Sequence, residues 1–148
     1  MSKIKANHGD WVVVCDGRKA LILVNAGDEV FPNLQTTEIR DHTDAPTSQL
    51  GTDRPGRVYS SFSKARSGVE QTDWHDEAER SFLHSLAKRL DHAIGGNETK
   101  SIILVAPPRA LGMLREAFSA PSRRAIRHEV AHDFVKLSTG EIEKRLFS

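Results

Sequence analysis

The sequence predicts an α/β fold: a mixed five-stranded sheet, in the order 3-2-1-4-5, flanked by helices. Three observations carry this. Trp11-Val12-Val13-Val14-Cys15 and Ser101–Ala106 are continuous apolar runs of the kind that form strands buried on both faces. Between them lies a long stretch with helical apolar spacing. The full element order reads β-β-β-loop-α-β-α-β-α, and a right-handed crossover after a three-stranded meander sets the later strands parallel to the first.

Each element has its own local reason. Trp11–Cys15 is β-branched and apolar, and Asp16-Gly17 behind it suits a tight type I′ hairpin. Lys19–Val24 is the return strand, and Glu38–His42 a third strand. Residues 43–72 lack sustained apolar periodicity and hold Gly51, Pro55, Gly56, Gly68 and many Ser and Thr, so they read as a long loop. A helix is expected from Thr72 or Asp73, either able to cap it. Ala78, Phe82, Leu86, Leu90 and Ile94 form its stripe, joined by Leu83 and Ala87, and Gly95-Gly96 stops it. Pro107-Pro108 opens a second helix, with Leu111, Leu114 and Phe118 inward, which Pro121 ends. Ala125–Val130 alternates as a strand, and Ser138-Thr139-Gly140-Glu141 resembles a capping box before a terminal helix.

A chain of 148 residues suits one domain, residues 1–148, with one core. The formal net charge of +1 excludes a broadly basic nucleic-acid binder but leaves room for a local basic patch. The single cysteine, Cys15, forms no internal disulfide and reads as a buried thiol. No apolar run approaches membrane-spanning length, and Met-Ser-Lys-Ile-Lys lacks the apolar stretch of a signal peptide, so a cytoplasmic protein is expected.

The segment Leu50–Val58 is basic and rich in Gly and Pro. Arg54, Arg57, Lys64 and Arg66 lie among Gly, Pro and Ser, where a flexible backbone can follow a phosphate chain, with Tyr59 and Phe62 available to stack on bases. A solvated loop with ordinary ion pairs is the plainer explanation. His128-Glu129-Val130-Ala131-His132 matches the H-E-x-x-H zinc pattern, in which two histidines on one helix face bind the metal and Glu129 is the general base. It falls, however, where a strand is expected, and no third histidine follows in the extended pattern. Asp16 stands where a metal nuclease would carry a carboxylate, but Ser101–Ala106 offers no partner acid, so a turn role fits better. Arg109, at a helix start after a central strand, is placed to hold a phosphate, although two prolines there also simply fix a sharp turn. Asp73, His75 and Glu79 form a polar group at the start of the long helix, which capping also explains. No cofactor is expected.

Trp11–Arg18, Leu50–Val58 and Leu104–Arg115 together resemble the bacterial host attachment protein family, over nearly the whole chain. That family in turn resembles the central domain of eukaryotic and archaeal peptide chain release factors, and shares its sheet order with ribonuclease-H-like enzymes. The resemblance implies an α/β scaffold of ribosomal-factor type and contact with RNA or the ribosome through the loop, without enzymatic activity. The family name implies instead a protein-interaction role, indirectly required for attachment to host cells. Release factors carry Gly-Gly-Gln in this loop. Here the loop offers Arg54-Pro55-Gly56-Arg57-Val58, and Gly95-Gly96 is followed by Asn97.

Overall fold

In a computed structural model, residues 4–41 and 56–147 are described, with 56–75 as backbone only. Five strands, β1 (Trp11–Cys15), β2 (Lys19–Asn25), β3 (Leu34–Asp41), β4 (Ile102–Val105) and β5 (Ile126–Val130), form one mixed sheet in the order β3-β2-β1-β4-β5. β1 pairs antiparallel with β2 and parallel with β4, while β5 lies parallel to β4. The predicted sheet order is the observed one. Among the described residues four helices flank it: α1 (Gly56–Gly95), α2 (Pro108–Ala117), α3 (Ala120–Ala125) and α4 (Thr139–Phe147).

Both faces of β1 and β4 are covered, which is why these strands read as unbroken apolar runs. On one face Val13, Cys15, Ile22, Ile102 and Leu104 pack against α1 and α2. On the other, Val12, Val14, Leu23, Ile103 and Val105 pack against Phe134, Ile142 and Leu146 from the C-terminal segment. Leu111, Leu114 and Phe118 point inward as expected. The terminal helix starts as its capping signal predicts, with Glu141 N–H donating to Ser138 Oγ at 3.2 Å.

The largest departure is α1. It begins at Gly56, not at Thr72 or Asp73, so residues 56–72 are helix where a loop was expected. The physical reason lies in a sparse repeat. Counting back from the buried Leu83, Leu86, Leu90 and Ala93 in steps of three and four reaches Val69, Ala65, Phe62 and Val58. Ser and Gly between them dilute that repeat until it looks like loop composition. The buried stripe is also centred on Leu83–Leu86–Leu90–Ala93, with Phe82 and Ile94 at its margins.

Smaller departures follow the same logic of local chemistry. The β1–β2 turn is not type I′, since neither Gly17 nor Arg18 has positive φ. Instead Asp16 Oδ1 accepts the N–H groups of Arg18 and Lys19, each at 2.8 Å, and this Asx turn closes the hairpin. At the C-terminus of α1 the left-handed residue is Asn97 (φ 60°) rather than a glycine. Glu98 N–H donates to Ala93 O and Asn97 N–H to Ile94 O, a Schellman closure. β3 starts at Leu34, four residues before Glu38, because an edge strand with mostly exposed side chains shows no apolar run. α2 already ends at Ala117, and Pro121 sits in the first turn of α3, capped by Ser119.

At the amino end of the sheet, Asn25 is completely buried. Its amide donates to Ala6 O at 2.9 Å, and its Oδ1 accepts Gly27 N–H at 3.0 Å and Asn33 N–H at 2.9 Å. One side chain thus replaces the backbone pairing that the β2–β3 connection cannot make for itself.

Cys15 is fully buried. Burial, and then the negative charges of Asp16 and Asp133, push its thiol up to about 12 from an ordinary 9.0. Cys15 is therefore expected to resist a disulfide reagent at about pH 8 in the folded protein and to react fully in denaturant, as thiol titration would read. Because folding raises this pKa, the thiol's contribution to stability is complete below the unfolded value of 9.0 and is lost as pH rises through about 12.

Candidate functional site

The carboxyl edge of the sheet, between β1 and β4, is its topological switch point. β1 leaves toward β2 on one side and β4 toward β5 on the other, and open α/β sheets gather ligands at such a crevice. Three elements meet there. The Asx turn supplies Asp16 and Gly17, the first turn of α2 supplies Arg109, and α1 supplies Asp76 and Glu79. Arg109 Nε donates to Glu79 Oε1 at 3.2 Å, and its Nη2 donates to Asp76 Oδ1. The Glu79 side chain lies directly over Gly17, where a Cβ would come within 2.8 Å of its Cγ and Cδ.

Arg109 at the helix start is thus engaged by Glu79 and Asp76. It is held between two carboxylates and fastens α1 to the beginning of α2. With 59% of the Arg109 side chain and 51% of Asp76 exposed, the link orients the two helices more than it stabilises them. Pro107 and Pro108 fix the strand-to-helix turn beneath it. Asp16 is a turn acceptor, as its position beside Gly17 implied.

Of the predicted nucleic-acid contacts, Arg54 lies outside the described residues. Arg57, Lys64 and Arg66 occupy helical positions in α1 rather than a loop. Asp73 and His75 also lie within α1, and their side chains fall outside the described atoms. Asp76 was not singled out in the sequence, although a signal for it exists. The three-and-four repeat that buries Leu83 and Leu86 passes through Glu79 and Asp76, so the core stripe turns acidic where the helix meets Arg109.

The zinc pattern does not assemble as one. His128 and Glu129 are successive residues of β5, on opposite faces of the strand, and His132 follows its end. No helix brings the two histidines onto one face. Glu129 is engaged by Arg115, whose Nη2 donates to its Oε1 at 2.5 Å. The His132 ring stacks on Phe134 at 5.5 Å. Among the described residues, no group of three or more His, Cys, Asp or Glu is arranged to hold a metal ion. Among them also, no helix is long and apolar enough to cross a membrane.

A family model described as "protein required for attachment to host cells" matches residues 11–146. No curated protein matches the chain.

Proposed function

The chain belongs to the family of proteins required for attachment to host cells, and from that premise we propose that it is a non-enzymatic, cytoplasmic binding domain that contacts RNA or the ribosome through the basic segment Arg54–Arg66. The observation that carries this reading is the length of α1. Among the described side chains of the helix, those packed on the core run from Phe82 to Ile94. At about 1.5 Å per residue, Gly56 stands roughly 39 Å along the axis from Phe82. The strands of the sheet, four to eight residues long, span only about 13–27 Å. A helix of this length has room to carry Arg57, Lys64 and Arg66 well along its axis from the Phe82–Ile94 stretch, and Arg54 precedes it in the sequence. That geometry supports contact with a deep, negatively charged site such as a ribosomal cavity. The resemblance of the element order to release-factor central domains supports the same reading by analogy. The absence of Gly-Gly-Gln makes the role contact rather than peptide release.

Ribosome co-sedimentation of wild type against Arg54→Ala/Arg57→Ala, at low and moderate salt, tests this. Wild type is expected to pellet with ribosomes at low salt and to fade as salt rises. The double variant is expected to lose about tenfold or more in affinity, because two counterion-releasing contacts are removed. Equal binding by both proteins, or none by wild type at low salt, would sink the proposal.

A second reading, a protein-interaction role indirectly required for attachment, draws on a different surface. Val30 and Phe31, in the β2–β3 connection, are 73% and 76% exposed. Adjacent exposed apolar side chains are a feature of protein contact sites.

A further inference from the structure

A cleft of about 710 Å³ opens where the end of α2, α3 and the first residues of β5 meet, within the size range of small-molecule sites. It lies toward the amino ends of the strands, whereas α1 begins past their carboxyl ends. Three arginines and an imidazole line it: Arg115, Arg123, Arg127 and His128. Phe118 and Ile126 give it an apolar wall.

Each guanidinium is oriented by a bond that leaves other donors over. Arg115 spends Nε and Nη2 on Glu129 Oε1, at 3.0 and 2.5 Å. Arg127 Nη1 donates to Asp10 Oδ2 at 3.1 Å, from beneath the edge of the sheet. Arg123 Nη2 donates to the backbone carbonyl of Arg115 at 2.7 Å. That last partner fixes the side chain without neutralising it, so the charge of Arg123 is kept for a ligand. The lining carboxylates do not compete for it, since Glu129 is taken by Arg115 and Glu116 pairs with Arg80 at 3.3 Å. A guanidinium pre-set by a neutral acceptor and sharing a cleft with two others matches a phosphate group, which accepts paired N–H donors.

We propose that this cleft binds a nucleotide, with Arg123, Arg115 and Arg127 on the phosphate and the Phe118–Ile126 wall against the base. Two sources share that chemistry: a free nucleotide, or a nucleotide unit within single-stranded RNA. The site does not depend on the Arg54–Arg66 segment.

Calorimetric titration of the full chain with ADP, and separately with a short single-stranded RNA, decides the matter. At least one probe is expected to bind wild type and to weaken about tenfold in Arg123→Ala, the loss of one charged hydrogen-bonded contact. Arg123→Lys is expected to recover part of that affinity. Arg54→Ala/Arg57→Ala is expected to retain the ADP affinity in full, which separates this site from the reading above. Loss confined to ADP identifies the free nucleotide as the occupant, and loss confined to RNA identifies the polymer. Arg123 is exposed, so its variants are expected to fold, with unchanged thermal unfolding as the control. No binding of either probe, or the same affinity in Arg123→Ala, would overturn the proposal.

Discussion

Asn25→Leu is expected to destabilise the protein by about 3 kcal/mol or more, as read from the midpoint of urea unfolding, since each backbone group left buried and unpaired costs roughly 1–3 kcal/mol. The substitution removes the partner of one buried group, Ala6 O, and of two part-buried ones, Gly27 N–H and Asn33 N–H. Leucine is similar in size, so the loss is one of polar satisfaction rather than of volume. The connection cannot relax to find new partners. A Cβ at Gly27 would already lie 2.1 Å from Phe31 O and 2.9 Å from Asn33 N, so backbone is packed on backbone there. Asn25→Asp should be milder, because a carboxylate keeps an acceptor for Gly27 and Asn33 and loses only the amide donor. If Asn25→Leu unfolded at the wild-type midpoint, the side chain would not be the keystone of the β2–β3 connection.

Leu90→Ala is expected to cost about 2–5 kcal/mol, the range for truncating a fully buried leucine and leaving a cavity. Against a total stability of roughly 5–15 kcal/mol, that is a large fraction. Leu90 sits in the stripe that docks α1 on the sheet, beside Leu86 and Ala93. The loss should therefore have a local signature as well: amide exchange in the Leu83–Ala93 turns should quicken more than in β1 or β4. A variant that lost stability uniformly would argue that the helix and the sheet form one indivisible unit.

The sheet was legible because its central strands are covered on both faces and have no polar residue to obscure them. Val12, Val13 and Val14 announce a buried strand in any context. The strand order followed from the meander and the crossover rule. The edge was harder to read, since Leu34–Asp41 is held in place by pairing with β2 more than by its own side chains, and pairing leaves no periodic trace. The amino half of α1 was hidden for a related reason. Five apolar residues across seventeen positions, separated by Ser, Gly and charged residues, satisfy a helix and a loop about equally. The Asx turn was half legible: the residues were right, but the oxygen of Asp16 closes the turn in place of a left-handed glycine. At the site, Arg109 could be picked out from its place after a central strand. Its pairing could not, because Asp76 and Glu79 lie some thirty residues earlier, and an acidic end to the helix stripe does not say which cation it meets. Arg123 was missed because its significance is its neutral partner, a carbonyl that only the fold brings near.

The parallel pairing of β1 with β4 has a consequence for how the chain is made. Trp11 pairs with Ile102, so the most apolar strand waits for a neighbour roughly ninety residues downstream. On a translating ribosome the β1–β2–β3 meander emerges first. The edge of β1 that pairs with β4 then stays open while roughly sixty further residues, α1 among them, are added. At about 5–20 residues per second, that interval lasts roughly 3–12 s. Through those seconds the nascent chain presents Trp11-Val12-Val13-Val14 as an open, sticky strand, a natural client for a chaperone stationed at the exit tunnel. The synthesis of β4 closes that edge, and the second face waits for Phe134, Ile142 and Leu146.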